Sequence, residues 1–133
     1  MPLPTAQYVQ LASFRSALRA FLHFSESEAQ RVGLSGQQYQ ALLAVRAGGE
    51  APTTINDLAR QLLIKHNSAV GLVDRLSEES FVRREPVPGD RRKVCLRLTT
   101  KGRRVLARLA SVHRAELRRV APMMGRVLRE LGH

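Results

Sequence analysis

Over most of this chain apolar residues recur every three or four positions, the spacing of helices with one buried face. From Phe81 to Thr99, FVRREPVPGDRRKVCLRLT, that rhythm breaks. Phe81 to Glu85 is compatible with a strand, Pro86 and Pro88-Gly89 punctuate, and Val94, Leu96 and Leu98 alternate with Cys95, Arg97 and Thr99. Period two in the second arm predicts a half-buried strand with Val94, Leu96 and Leu98 inward. Two strands around a charged Pro-Gly tip make a hairpin. The fold class expected is therefore mainly α, with a small β part (α+β).

The helical segments on either side can be placed. Roughly Ala6 to Arg31 carries Leu11, Phe14, Leu18, Phe21 and Leu22 on one face, and Gly33 ends it. Ser35, three residues before Gln38, forms a capping-box pattern for a second helix with a Tyr39, Leu42, Leu43 stripe, ending near Gly48-Gly49. Thr54 is suited to cap a brief helix with Leu58, Ala59 and Leu62 inward. After a turn at Leu63 to Lys65 comes a longer helix, about His66 to Ser80, with Ala69, Leu72, Val73 and Leu76 inward. Two helices so closely joined read as a helix-turn-helix, and the hairpin just after them reads as its wing. Thr100 to Ala121 is helical again, with Val105, Leu109, Val112, Leu117 and Val120 as its stripe. Pro122 lacks an N–H and is expected to break it, leaving a short final helix with Met123, Val127, Leu128 and Leu131.

At 133 residues the chain has room for one domain with a real core. Its apolar stretches fall short of the roughly 20 residues that cross a bilayer, and MPLPTAQYVQ lacks the basic segment and apolar block of a secretory signal. A lone cysteine, Cys95, builds no disulfide framework, so a reducing, cytoplasmic setting is expected, with no membrane partner. The formal charge of +11 and pI near 11.4 are those of a nucleic-acid binder. Nine basic and two acidic residues between Arg83 and Arg104 put +7 in one window.

A helix of this kind meets base edges in the major groove with its first turns. Here the second helix of the pair opens KHNSAVG, and removing its inward residues leaves His66, Asn67, Ser68, Val70 and Gly71, after Lys65, facing outward. Asn bonds adenine, Ser meets several edges and Val meets a thymine methyl. The competing reading is that Asn67 and Ser68 only cap the helix. Gly71 costs about 1 kcal/mol in a helix relative to Ala; close approach to a phosphate or a close helix crossing would each explain it. At the wing tip, Asp90 stands two residues before Arg92 and is placed to pair with it. Arg92 is suited to the narrow, negative minor groove, with Arg91 and Lys93 over phosphates.

In the order LARQL, short turn, SAVGLVDRLSEESFVRR, GDRRKVCLRLTTKG, the chain resembles the MarR family of winged-helix transcriptional regulators. That family has a D-x-R wing tip before an alternating strand ending in L-T-x-x-G. Asp90, Arg92, Leu96, Leu98, Thr99 and Gly102 match, and Val73-Asp74-Arg75-Leu76 matches the recognition-helix segment. The motifs span about Ile55 to Gly102, and the flanking helices agree in order and length. The resemblance implies a single domain over 1–133, with residues 35–100 as the winged helix-turn-helix part and 1–34 and 101–133 as dimerisation helices. It implies a homodimer binding a pseudo-palindromic operator in double-stranded DNA, as a repressor or activator. Arg92 would be the wing arginine, and Arg75 would join the DNA-facing set. Lys65 stands where the family often has a small polar residue, and Gly71 where a larger polar one is common.

The family is commonly controlled by aromatic acids or phenols lodged between the dimer helices and the winged module. Phe14, Leu18, Phe21, Tyr39 and His113 are of types that line such an apolar pocket. Cys95, flanked by Lys93 and Arg97, is a redox sensor or an inert packing residue. His23, His66, His113 and His133 show no metal-ligand spacing, although His23, His113 and a carboxylate on another helix would suffice for a metal. No cofactor is implied, and no phosphate loop, nucleophile elbow or zinc-hydrolase motif points to an enzyme. The alternatives to a specific regulator are a non-specific architectural DNA-binding protein and a basic protein-interaction module.

Overall fold

Three of the helices start where a side chain answers their free backbone N–H groups. In a computed structural model, which describes residues 1–132, the order is α1 (Thr5–Arg31), α2 (Gly36–Ala47), β1 (Thr53–Thr54), α3 (Ile55–Leu62), α4 (His66–Glu78), β2 (Val82–Val87), β3 (Asp90–Leu98) and α5 (Thr100–Leu131). Before α2, Ser35 Oγ accepts from the Gln38 N–H at 3.0 Å while Gln38 Oε1 accepts from the Ser35 N–H at 2.8 Å. A carboxylate from α1 adds to this cap: Glu26 Oε2 accepts from the Gly36 N–H at 2.6 Å, and a side chain on Gly36 would run into that carboxylate. Gly33, at φ +82°, turns the chain between the two helices.

Thr54 and Asp57 form the same reciprocal cap on α3, at 3.1 and 3.0 Å. The Thr54 backbone N–H, more than the Arg60 guanidinium, holds the Asp57 carboxyl below its ordinary value. A carboxyl depressed in the folded state contributes stability above its unfolded pKa and loses it as pH falls through the folded one. Thus Asp57→Asn, which keeps an acceptor and removes the charge, should cost about 0.3–1 kcal/mol at neutral pH. The gap between wild-type and variant melting temperatures should close on acidification below pH about 4. A gap that stays constant from pH 7 to pH 3 would remove the charged cap.

The inward set expected for α4 is the observed one: Ala69, Leu72, Val73 and Leu76 are buried. Leu72, Val73 and Leu76 join Leu42 of α2, Leu58 of α3 and Leu96 of β3 in a core extended by Phe81, Val82, Leu98, Leu106 and Leu109. The wing differs from expectation in two ways. The β2–β3 hairpin is the expected two-stranded wing, but β3 also pairs with β1 on its other edge (Thr53↔Leu96, Thr54↔Cys95), giving a three-stranded antiparallel sheet in the order β1-β3-β2. And Cys95, expected on the polar phase, is fully buried, whereas Val94, expected inward, is exposed. Alternation says which face a residue occupies, not whether that face is covered. Cys95 lies opposite Thr54 and Glu85 where β3 is flanked on both edges; Val94 lies closer to the tip, beyond β1.

The L-T-x-x-G motif proves to be a joint. Thr99 Oγ1 accepts from the Gly102 N–H at 3.0 Å and donates toward the Ser80 and Phe81 carbonyl oxygens at 2.5 and 3.1 Å, while the Thr99 N–H also donates to Phe81 at 3.1 Å. Gly102 is buried against that same Phe81 carbonyl, and an added Cβ would collide with it. The start of α5 is thereby fastened to the start of the wing.

Pro122 does not end the last helix. α5 is continuous through it to Leu131, so no separate final helix exists. Proline removes its own N–H, and with it a hydrogen bond to Arg118, and its ring crowds the Arg118 carbonyl; the helix runs on across it all the same. Several residues expected inward are exposed instead: Leu11, Leu18 and Leu22 on α1, Leu43 on α2, and Val112, Leu117 and Leu128 on α5. Among the described residues no helix is long and apolar enough to cross a membrane.

Candidate nucleic-acid interface

The turn between α3 and α4 closes tightly, with the Ile64 N–H donating to the Ala59 carbonyl at 3.0 Å and Leu63 in the left-handed region at φ 56°. α4 then follows Lys65, the cap residue, whose side chain makes no capping bond, and its first turn holds no acid. Asn67 and Ser68 stand exposed on that turn rather than at the cap position, so the capping alternative is not the one adopted. Free N–H groups and the positive end of the helix dipole favour an anion at this site. His66 is tied back to α3, its Nδ1 2.7 Å from Asn56 Oδ1. Val70 and Gly71 are half-buried and Arg75 is exposed.

Of the two explanations for Gly71, a close helix crossing within the chain fails. An added Cβ would meet only Arg75 Nη1, at 3.7 Å, an ordinary contact. Gly71→Ala should therefore raise unfolding free energy by up to about 1 kcal/mol. If the bare backbone is there for a phosphate, the same variant should bind DNA more weakly. Denaturation and binding titrations on one preparation check both, and a variant more stable and equally tight would leave Gly71 without a role in binding.

Sequence reading missed what anchors the wing. Asp74 on α4 takes the Arg84 guanidinium of β2, and Arg84 also donates to Ser77 Oγ at 3.3 Å. Arg83 and Arg97 share Glu85, at 2.7 and 3.6 Å, and its carboxyl lies below the ordinary range chiefly through the Arg83 hydrogen bond. The cations at the wing's root are thus engaged in the fold. Those at its tip are not. Gly89 turns the tip at φ +85°, and Asp90 Oδ1 accepts from the Arg92 N–H at 3.1 Å. The guanidinium of Arg92 stays 3.9 Å from Asp90, with its side chain 97% exposed; the expected pairing is mainly to the backbone. Arg91 and Lys93 are exposed beside it. His66 and Lys93, with Asn56, Asp57 and Arg60, line one open cleft of about 540 Å³, so the start of α4 and the wing border the same recess.

The aromatic group expected around an effector is packed on itself. His113 stacks on Tyr39 with ring centroids 4.2 Å apart and meets Phe21 and Phe24 edge-on at 6.0 and 5.8 Å. Its Nδ1 lies 2.7 Å from the Leu109 carbonyl oxygen, which only accepts, so Nδ1 carries a proton; Nε2 lies 2.7 Å from Ser25 Oγ. Phe14 is half-buried and Leu18 exposed, nearer the start of α1. Cys95 is enclosed, with Sγ 3.9 Å from the Pro86 carbonyl oxygen, as a packing residue would be. His23 is exposed, and His133 lies outside the described residues. Among the described residues no trio of His, Cys, Asp or Glu is placed to hold a metal.

A tri-helical body with a short helix-turn-helix and a three-stranded wing defines a winged helix-turn-helix protein. Residues 32–93 match the model described as MarR family. The chain is 32% identical over 82 residues to the HTH-type transcriptional regulator PecS of Dickeya dadantii, covering 60% of this chain and 49% of that protein. The matched part spans about half the length of the curated relatives. Among solved structures it is similar to AbsC, a MarR family transcriptional regulator from Streptomyces coelicolor (24% identity, 90% and 80% of the two chains, TM-score 0.76). It is also similar to a mutant of Staphylococcus aureus MepR bound to an oligodeoxyribonucleotide (17% identity, 98% of each chain, TM-score 0.70). Over residues 32–93, then, the chain is similar to MarR family regulators.

Proposed function

We propose that this chain regulates transcription in the cytoplasm by binding duplex DNA as a homodimer on a pseudo-palindromic operator, with one α4 and one wing per half-site. The observation that carries this reading is the pairing of an uncapped, acid-free first turn of α4 with a wing tip whose Arg92 is almost fully exposed and whose next residue, Lys93, lines one cleft with His66. Lys65, His66, Asn67, Ser68, Val70, Gly71 and Arg75 serve the major groove, Arg92 the minor groove, and Arg91 and Lys93 the phosphates. Residues 35–100 are the DNA-binding part, and 1–34 and 101–133 the dimerisation helices. Support for the dimer is the apolar surface left open on those helices: Tyr8, Val9, Leu11, Leu18 and Leu22 on α1, and Leu117, Met123 and Leu128 on α5. Two-fold pairing is the commonest way to cover such a surface. An aromatic acid or phenol inserting among Phe14, Leu18, Phe21, Tyr39 and His113 would act where α1, α2 and α5 meet.

The test is a competition titration: labelled duplex from upstream of the protein's own gene against a scrambled duplex of equal length. A preference of about 10³-fold or more is expected, with affinity falling steeply as salt rises because phosphate counterions are released. Equal affinity for both duplexes would favour the architectural alternative, and no binding at physiological salt the protein-interaction module.

A further inference from the structure

We propose that the outward face of α5 is a second docking surface for duplex DNA, independent of sequence and separate from α4 and the wing. The charge of the chain points there. Of the formal +11, the residues of α5 carry +7: Lys101 and eight arginines against Glu116 and Glu130, leaving +4 for the rest. A helix whose expected task is dimerisation thus outweighs the whole recognition module in net charge.

The placement of these cations is as uneven as their number. Gly102, Leu106, Leu109 and His113 define the buried side of α5. At about 3.6 residues per turn, all nine cations fall within the opposite half of the circumference, and all nine are exposed. Among the described residues, Arg119 is the one α5 cation in an ion pair, with Glu116; the other acid, Glu130, sits at the far end of the arc. A merely solvated helix face interleaves both signs, because like charges four apart, as at Arg104 and Arg108 or Arg114 and Arg118, repel. Here that repulsion runs along a helix of 32 residues, about 48 Å long.

Duplex DNA suits this face better than other polyanions. It carries evenly spaced charge over any length, roughly one per 1.7 Å of axis, whereas an acidic patch on a folded protein is local. Arginine binds phosphate oxygens in pairs. Between the arginines lie Ala107, Ser111, Ala115 and Ala121, small enough for a sugar-phosphate backbone to approach. A membrane-surface helix would set large apolar residues beside its cations. The exposed apolar residues of α5, Val112, Leu117, Met123 and Leu128, lie outside the cationic arc, on the sides proposed to meet a second copy. α5 packs mainly on α1, with further contacts to α2 and β3; its start is fastened to the wing root at Thr99 and Gly102, and Arg114 to Arg129 lie three or more turns further along.

The test is bridging. Protein loaded on an immobilised duplex is offered a second, fluorescent duplex of unrelated sequence. Native protein is expected to capture it. The variant carrying Arg114→Gln, Arg118→Gln, Arg126→Gln and Arg129→Gln should lose capture by about tenfold or more, the log–log salt slope of capture becoming shallower by about 3 to 4. Binding to the immobilised duplex should hold, as should helicity by circular dichroism. Replacing the same four with Lys should retain capture, which separates loss of charge from loss of fold. Arg92→Ala should weaken the first event alone, so failure of the operator reading and failure of this one are distinguishable. The proposal is overturned if native protein captures no second duplex or if the Gln variant captures it as well as native. It is equally overturned if the four arginines instead govern binding to phosphatidylglycerol vesicles.

Discussion

Arg92→Ala should weaken binding to the cognate duplex by about 1–3 kcal/mol, roughly 5- to 150-fold, with little change in stability. The side chain is 97% exposed and its one ion pair, to Asp90, spans 3.9 Å. Such a pair contributes almost nothing to folding, so the guanidinium is open to a partner outside the chain. The neighbouring cations give the contrast: Arg84, bound to Asp74 and Ser77, anchors the wing to α4, and its loss should disturb the fold as well as binding. Fluorescence anisotropy gives the affinity of Arg92→Ala and thermal denaturation its stability. Unchanged affinity would remove the wing arginine from the interface, and a large fall in melting temperature would show that it is a structural residue.

Gly102→Ala should cost about 1–3 kcal/mol of stability, whereas at an open helix position the same change is usually favourable. The methyl group would be driven into the Phe81 carbonyl oxygen, which already accepts from the Thr99 backbone and hydroxyl. Relief requires either α5 to move outward or the wing root to shift, and each breaks those bonds. Urea denaturation at one fixed protein concentration checks this, since the stability of a dimer depends on concentration. A midpoint equal to wild type would mean the joint yields freely. Gly71→Ala is the matched control: the same change in a helix, where the added methyl meets only Arg75 at an ordinary contact distance.

Those two glycines also show where reading the sequence succeeds and stops. Local signals were legible. Ser35 with Gln38 and Thr54 at its cap position fixed two helix starts, and the apolar spacing of Ala69, Leu72, Val73 and Leu76 gave the buried side of α4. What was not legible depends on distant residues. β1 has two residues, too few for any alternation to register, and it exists only because β3 offers a free edge. Its presence helps explain why Cys95 is enclosed and Val94 is not. Proline at position 122 was expected to break a helix that in fact runs on, at the expense of one hydrogen bond. The Asp74–Arg84 pair joins residues ten apart on different elements, with no periodic trace. In the candidate site, the outward residues of α4 and the wing tip could be named in advance, but which cations were already occupied could not.

The fastening of Thr99 and Gly102 to Phe81 makes the wing and the long last helix turn as one piece. A rigid rod about 48 Å long, tilted by about 5°, moves its end by about 4 Å, close to the 3.4 Å step from one base to the next. In a pair of such subunits, a small change in the angle at which the rods cross would therefore put the two reading heads out of step with the double helix by a whole base pair. Control over where the heads land would then require no change within either of them.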